Sequence, residues 1–299
     1  MTFPLRNPDP HATRRALRQL IYAPETLVLP GAYDSASARL MTSLGFKALW
    51  AGGFVSTATA LGTPDIGLLG MNEHLRFCRN MSDATGVPVV ADIDTGYGNA
   101  VAVTRTVQAF DRAGIAAVVI EDQRSPKQAS LYPGERTLLP IREMAGKIAA
   151  AVDSRFDADM MVWARTDSFA AGADCSEALE RAHAYAEAGA DVIVPVSREQ
   201  ENVEAFARAW DGCKPICTIP TFFPKLTTGE IQKLGYAVQV VSLAPIQAAL
   251  HAVEGVMRQL RDEGAVSGIA GEMNEFRKLV NLMGQDEFKA LEAKYLPRD

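Results

Sequence analysis

Five stretches of the chain share one grammar: a helix-like segment, a glycine, then a short apolar run. They read SLGFKALWAGG, ATGVPVVADID, RAGIAAVVIED, EAGADVIVPVS and KLGYAVQVVSL. Glycine is the residue expected where a helix ends in the left-handed conformation. The run that follows, rich in Val, Ile and Ala without strict alternation, suits a parallel strand buried on both faces. Three further runs, TLVLPGAYD, MMVWARTD and KPICTIPT, bring the strands to eight. Amphipathic segments such as AVTRTVQAFDRAG and CSEALERAHAYAEAG fall between them, the latter opening on a cap at Ser176 or Asp174.

Eight strands alternating with helices in 299 residues predict an α/β fold of the (β/α)8 barrel type, which takes about 250 residues. A doubly wound open sheet would carry a glycine-rich phosphate loop after an early strand, and LPGAYDS is not one. The tail from about Gly264 to Asp299 reads as two more helices, NEFRKLVNLM and QDEFKALEAKYL. No linker divides the chain, so residues 1–299 are expected to form a single barrel domain with a C-terminal helical extension at about 264–299.

The formal net charge of −6, without a basic block, argues against nucleic acid or an anionic membrane as partner. No apolar run reaches bilayer length and the N-terminus lacks a signal-peptide core, so a cytoplasmic setting is expected. Cys78, Cys175, Cys213 and Cys217 are too scattered for a disulfide framework. Cys213 and Cys217, in GCKPICTIP, have no second cysteine pair or nearby histidine and read as inert core thiols. His11, His74, His183 and His251 sit in helix-like segments away from strand ends, which gives a histidine-based triad little support.

A barrel places its active site at the carboxyl ends of its strands. Those ends read Tyr33 and Asp34, Gly52 and Gly53, Asp92 and Asp94, Glu121 and Asp122, then Arg165 and Asp167. In a strand, Asp92 and Asp94 would share one face, where their repulsion calls for a cation or a proton. Magnesium, with manganese as the alternative ion, suits an oxygen half-shell of Asp92, Asp94 and Glu121, with Asp65 joining from the side. The competing reading pairs these acids with Arg165 or Lys127, or uses them as helix caps. Backbone N–H groups of Gly52, Gly53 and Phe54 suit a substrate carboxylate, although the same glycines also make a tight turn with no ligand. Arg165 suits capture of a carboxylate or phosphonate, or a structural salt bridge. The polar segment QRSPKQASLYPGERTLLP after strand 4 reads as a lid bearing Lys127 and Ser130, or as a solvated loop.

Taken in register, PGAYDSASA, LGTPD, DIDTGYGN, the strand ending in ED, the lid containing PK, and ARTD resemble the phosphoenolpyruvate mutase/isocitrate lyase superfamily over nearly the whole chain. The resemblance implies magnesium, an enolpyruvate-type intermediate, and a homodimer or homotetramer that exchanges its eighth helix. It further implies that Asp92 is the main metal ligand, with Asp94 and Glu121 acting largely through water. Asp65 and Lys127 would be catalytic, Arg165 would grip the transferring group, and Tyr33, Gly52, Gly53, Phe54 and Ser130 would contact substrate.

The lid lacks the cysteine and histidine of the carbon–carbon lyases. Its Pro-Lys-x-x-Ser-Leu layout looks like phosphoenolpyruvate mutase and phosphonopyruvate hydrolase. Ala129 and Val196 replace polar residues of those relatives. The expected substrate is a small 2-oxo acid or phosphonate, phosphonopyruvate first. Because Ala129 offers the phosphoryl group no partner, cleavage to pyruvate and phosphate is expected over the mutase reaction. The alternatives are a carbon–carbon lyase or decarboxylase on a dicarboxylate such as oxaloacetate or a methylisocitrate-like acid, and a non-catalytic metabolite binder.

Overall fold

The computed structural model describes residues 9–128, 136–266 and 273–296. Its strands are β1 (Leu27–Pro30), β2 (Leu49–Ala51), β3 (Val89–Asp92), β4 (Ala117–Glu121), β5 (Met161–Thr166), β6 (Val192–Pro195), β7 (Cys217–Thr218) and β8 (Val238–Val241). All pairings are parallel, in the orders β1-β8-β7 and β2-β3-β4-β5-β6. Parallel bridges from Gly31 to Trp50 and from Ile193 to Ile216 join the two groups at both seams. The eight strands thus close into the expected barrel. The glycines of the five repeated stretches, at 45, 86, 114, 189 and 235, all have positive φ, as helix-ending glycines should.

Alternation along the strands decides what faces inward. Leu29, Trp50, Val90, Val119, Trp163, Val194, Cys217 and Val240 pack together as the barrel interior. Leu49, Ala91, Val118, Ile120, Val162, Ala164 and Ile193 pack in the other cluster, with residues of the surrounding helices. The first helix, α1 (Pro10–Ile21), holds the helix-like segment around His11: its Leu17 and Ile21 join the interior cluster, and Arg14 is buried against Asp111 and Asp157.

Two positions further along each inward register come Gly52, Asp92, Glu121, Arg165 and Val196. The strand-end residues are therefore the top layer of the interior, where apolar filling gives way to charge.

Around the barrel run α2 (Ser35–Ser43), α3 (Gly53–Leu61), α4 (Met71–Thr85), α5 (Ala100–Arg112), α6 (Ile141–Asp153), α7 (Cys175–Glu187), α8 (Gln200–Ala209), α9 (Thr228–Lys233) and α10 (Ala244–Glu263). Asp174 is the cap of α7, accepting from the Glu177 N–H. Asp34 caps α2 in a reciprocal box with Ser37 rather than facing the barrel mouth. In the tail, α11 (Met273–Leu282) and α12 (Gln285–Tyr295) follow, with Arg39 of α2 donating to the Leu282 carbonyl.

Candidate active site

The loop after β3 departs from the expectation that Asp92 and Asp94 share a strand face. The strand stops at Asp92, and Asp94 takes the left-handed region at φ 53°, as does Tyr97 at 58°. Their proximity comes from that turn, in which the Asp94 N–H donates to Asp92 Oδ1 at 3.2 Å. Non-glycine residues pay about 1 kcal/mol or more to sit there, so the surroundings must impose the shape. They do: Lys147 of α6 donates to the Thr95 carbonyl, the Glu121 N–H donates to the Asp94 carbonyl, and His74 of α4 shares a 2.9 Å hydrogen bond with the Tyr97 hydroxyl.

Lys127 folds inward rather than projecting from a surface lid. It is 5% exposed, and its Nζ lies 2.9 Å from both oxygens of Asp65 and donates to Asp94 Oδ1. Burial alone would depress this ammonium, but Glu121, Asp94, Asp65 and Asp92 hold it above its ordinary range. Burial also raises Asp94, to about 6, against the pull of Lys127.

Glu121 and Arg165 are register partners on β4 and β5. Arg165 is gripped by Asp167 at 2.8 and 3.1 Å, and its Nη1 stands 3.2 Å from Glu121 and 3.7 Å from Asp92. Gln123 holds Asp167 from the other side at 2.7 Å. Glu121, 1% exposed, accepts no hydrogen bond at either oxygen among the described residues, and burial lifts its carboxyl well above the usual range. Its neighbour Asp122 plays a separate, structural part, accepting from Thr166, Tyr185 and the Asp167 N–H.

Gly52 and Gly53 open α3 with no side-chain cap. A Cβ on Gly53 would stand 2.6 Å from Asp94 Oδ1 and 3.3 Å from Lys127 Nζ, so only glycine lets this backbone approach the charged group. The cavity beside it is lined by Gly52, Gly53, Phe54, Asp65, Asp92 and Arg165 on one side, and by Val196, Ser197, Arg198, Ile219, Thr221, Phe222, Ser242 and Leu243 on the other.

The structure therefore brings together Asp65, Asp92, Asp94, Glu121, Lys127, Arg165 and the glycine backbone. Tyr33 does not line the cavity; it packs on the apolar group of Val55, Leu243 and Ile246. Ser130, Ala129 and the 129–135 part of the expected lid lie outside the described residues. The competing reading, acids paired with Lys127 and Arg165, is visible too, and it is incomplete. Asp65, Asp92, Asp94, Glu121 and Asp167 set five carboxylates against those two cations. The donor set is oxygen-only, and among the described residues Glu121 accepts no hydrogen bond, which fits a hard dication. The ligand atoms of Asp92, Asp94 and Glu121 do not all fall within 4.8 Å of one another. Lys127 engages Asp94, and Arg165 stands beside Glu121.

Sequence reading missed Ser197, Arg198, Thr221 and Ser242, which lie on loops after β6, β7 and β8 without a charged motif to mark them. It also set His74 apart from the strand ends, whereas its imidazole is buried beneath the β3 loop. Helical position hid this, because the contact is between α4 and a turn 23 residues away.

Burial lowers His74 from its ordinary 6.5 to about 4. The unfolded chain takes up a proton below pH 6.5 that the folded state refuses until about 4. Stability is thus lost as pH falls through that window, by up to about 3 kcal/mol. His74→Gln should cost stability at pH 7, and its deficit against the unmodified protein should shrink at pH 4.5. Denaturant unfolding at both pH values checks this; an unchanged deficit would count against a neutral buried imidazole.

A closed parallel barrel with acids, two buried cations and an open helix N-terminus at its carboxyl mouth defines an enzyme-type site of the (β/α)8 class. The family profile described as phosphoenolpyruvate phosphomutase matches residues 17–261, and the chain belongs to that family. Phosphonopyruvate hydrolase from Variovorax sp. (strain Pal2) is 35% identical, over 94% of this chain and 98% of its own. The 2,3-dimethylmalate lyase of Eubacterium barkeri is 37% identical, over 95% and 98%. The crystal structure of a phosphonopyruvate hydrolase with oxalate and Mg2+ superposes with a TM-score of 0.88 at 33% identity, covering 95% of this chain and 99% of that one. These relatives are named as enzymes, which sets aside the expectation of a non-catalytic binder.

Proposed function

We propose that this protein is a magnesium-dependent enzyme that cleaves the C–P bond of phosphonopyruvate, or of a similar 2-oxo acid, through an enolpyruvate-type intermediate. The observation that carries the reading is Glu121, a buried carboxylate that faces Arg165 at 3.2 Å yet accepts no hydrogen bond among the described residues, inside an acid-rich mouth. Asp92, Asp94 and Glu121 would hold the ion, magnesium or in its place manganese, which supplies Lewis-acid stabilisation of developing enolate charge when bound.

The chain's own groups do the rest. The N–H groups at the uncapped start of α3, from Gly52 through Phe54, are free to hold the substrate carboxylate. Arg165, locked by Asp167, presents a fixed guanidinium to the departing phosphoryl group. Lys127 balances charge beside Asp65 and Asp94, and Asp65 lines the cavity next to Gly53 as the proposed catalytic carboxylate. Ser130 would contact the substrate.

A second reading rests on the far wall of the cavity. Val196, Ile219, Phe222 and Leu243 give it an apolar face, with Arg198 stacked on Phe222 at 4.9 Å. Such a wall suits a carbon–carbon lyase acting on an alkyl-substituted dicarboxylate. Turnover of phosphonopyruvate, oxaloacetate and dimethylmalate with magnesium separates the two. Phosphorus NMR should show phosphate from phosphonopyruvate. Phosphoenolpyruvate as main product would point to a mutase, and reaction of only the dicarboxylates to a lyase.

A cytoplasmic homodimer or homotetramer with exchanged helices, built on a single barrel domain, completes the proposal. Its support is α10, where Ile246 is buried but Leu250, Val253, Met257 and Leu260 form an exposed stripe at three- and four-residue spacing.

A further inference from the structure

Cys213 is not the buried core thiol that its sequence context suggested. Only Cys217 lies within β7; Cys213 is exposed in the turn before it. That turn, Asp211-Gly212-Cys213, is folded tightly by Gly212 at φ 77°, and the Cys213 N–H donates to Asp211 Oδ1 at 3.0 Å. The other carboxylate oxygen, Oδ2, lies 3.8 Å from Nδ1 of His183 on α7.

The imidazole is fixed by stacking on Trp210, with centroids 4.7 Å apart. Trp210 in turn stacks on Phe206, and its Nε1 donates to the Lys214 carbonyl. One ligand atom from each of His183, Asp211 and Cys213 falls within 4.8 Å of the others, the only such group of three among the described residues.

We propose that His183, Asp211 and Cys213 form a second metal site, for a borderline-soft dication such as Zn2+, on the amino-terminal face of the barrel. The thiolate, imidazole and carboxylate are the donor types zinc takes, and bonds of 2.0–2.3 Å in a tetrahedron need ligand atoms about 3.3–3.8 Å apart. A shift of at most about 1.5 Å closes the group, because the glycine turn fixes the backbone of Asp211 and Cys213 and the aromatic stack fixes the His183 ring. Binding exchanges the thiol proton for the metal and releases that proton to solvent, and water fills the fourth position.

The site joins α7 to the segment leading into β7. Both Asp211 and Cys213 precede the amino end of their strand, so it lies across the barrel from the carboxyl mouth. Hard oxygen donors at the mouth and a mixed sulfur, nitrogen and oxygen set here select different ions.

Cobalt(II) titrated into the full-length protein under excess magnesium tests the assignment. One equivalent should produce a thiolate-to-cobalt charge-transfer band that zinc then bleaches. Cys213→Ser should abolish the band, His183→Gln should weaken it, and Cys175→Ser and Asp92→Ala should leave it intact. No band in the unmodified protein, or a band that survives Cys213→Ser or disappears with Cys175→Ser, would overturn the site. Because Asp92→Ala affects only the mouth, the result stands apart from the proposed activity.

Discussion

Replacing Asp92 by alanine is expected to abolish magnesium binding and to lower turnover by about a thousandfold or more, the several kcal/mol that a catalytic dication supplies. Asp92 ends β3, lines the cavity and is 5% exposed. Of the three acids assigned to the ion, Asp94 is engaged by Lys127, and Glu121 faces Arg165 at 3.2 Å. Neither can replace a lost direct oxygen without giving up a buried cation. Calorimetry should therefore record no magnesium heat from Asp92→Ala, while thermal melting of the ion-free proteins stays close. Undiminished magnesium affinity in the variant would show that the ion binds elsewhere.

Lys127→Met should have the largest effect on folding. The substitution keeps the length of the stem and removes the charge that Asp65 and Asp94 share. Breaking a buried pair by deleting one partner costs about 3–5 kcal/mol, because the charge left behind is uncompensated. Asp94, already raised to about 6, should rise further without its ammonium partner. A carboxyl whose folded pKa exceeds its unfolded value destabilises the fold as pH climbs through that interval, so the deficit should be larger at pH 8 than at pH 5. Urea unfolding at both values gives the comparison. Equal deficits would mean that Asp94 stays charged without Lys127. Turnover should fall by at least about a hundredfold, as when other preorganised charges are removed.

The barrel and its charged mouth were legible because both follow from period. Glycine-terminated helices and apolar runs specify the strands, and two-residue alternation carries Trp50, Val90, Val119 and Trp163 forward to Gly52, Asp92, Glu121 and Arg165. What could not be read depends on the path of irregular backbone. Asp94 leaves the strand through a left-handed turn that no alternation foretells. Pairing of Lys127 with the acids was one of two readings, but its inward fold onto Asp65, 62 residues away, follows from no local pattern. His74 and Lys147 support the β3 loop from two different helices, by contacts that no local pattern encodes. Cys213 misled because its apolar neighbours belong to the strand that begins only at Cys217.

The imbalance of charge at the mouth also dictates a sequence of events. An anionic substrate approaching a mouth where Asp65, Asp92, Asp94, Glu121 and Asp167 outnumber Lys127, Arg165 and Arg198 meets acidic excess, in a pocket where screening is weak. A bound dication would offset most of that excess, leaving the α3 amides and Arg165 to attract the acid. The expected order of association is therefore metal before acid, with dissociation in reverse. In steady-state kinetics the metal should behave as a leading reactant in rapid equilibrium. Raising the acid concentration would then tighten the apparent hold on the ion, since each captured anion locks its predecessor in place.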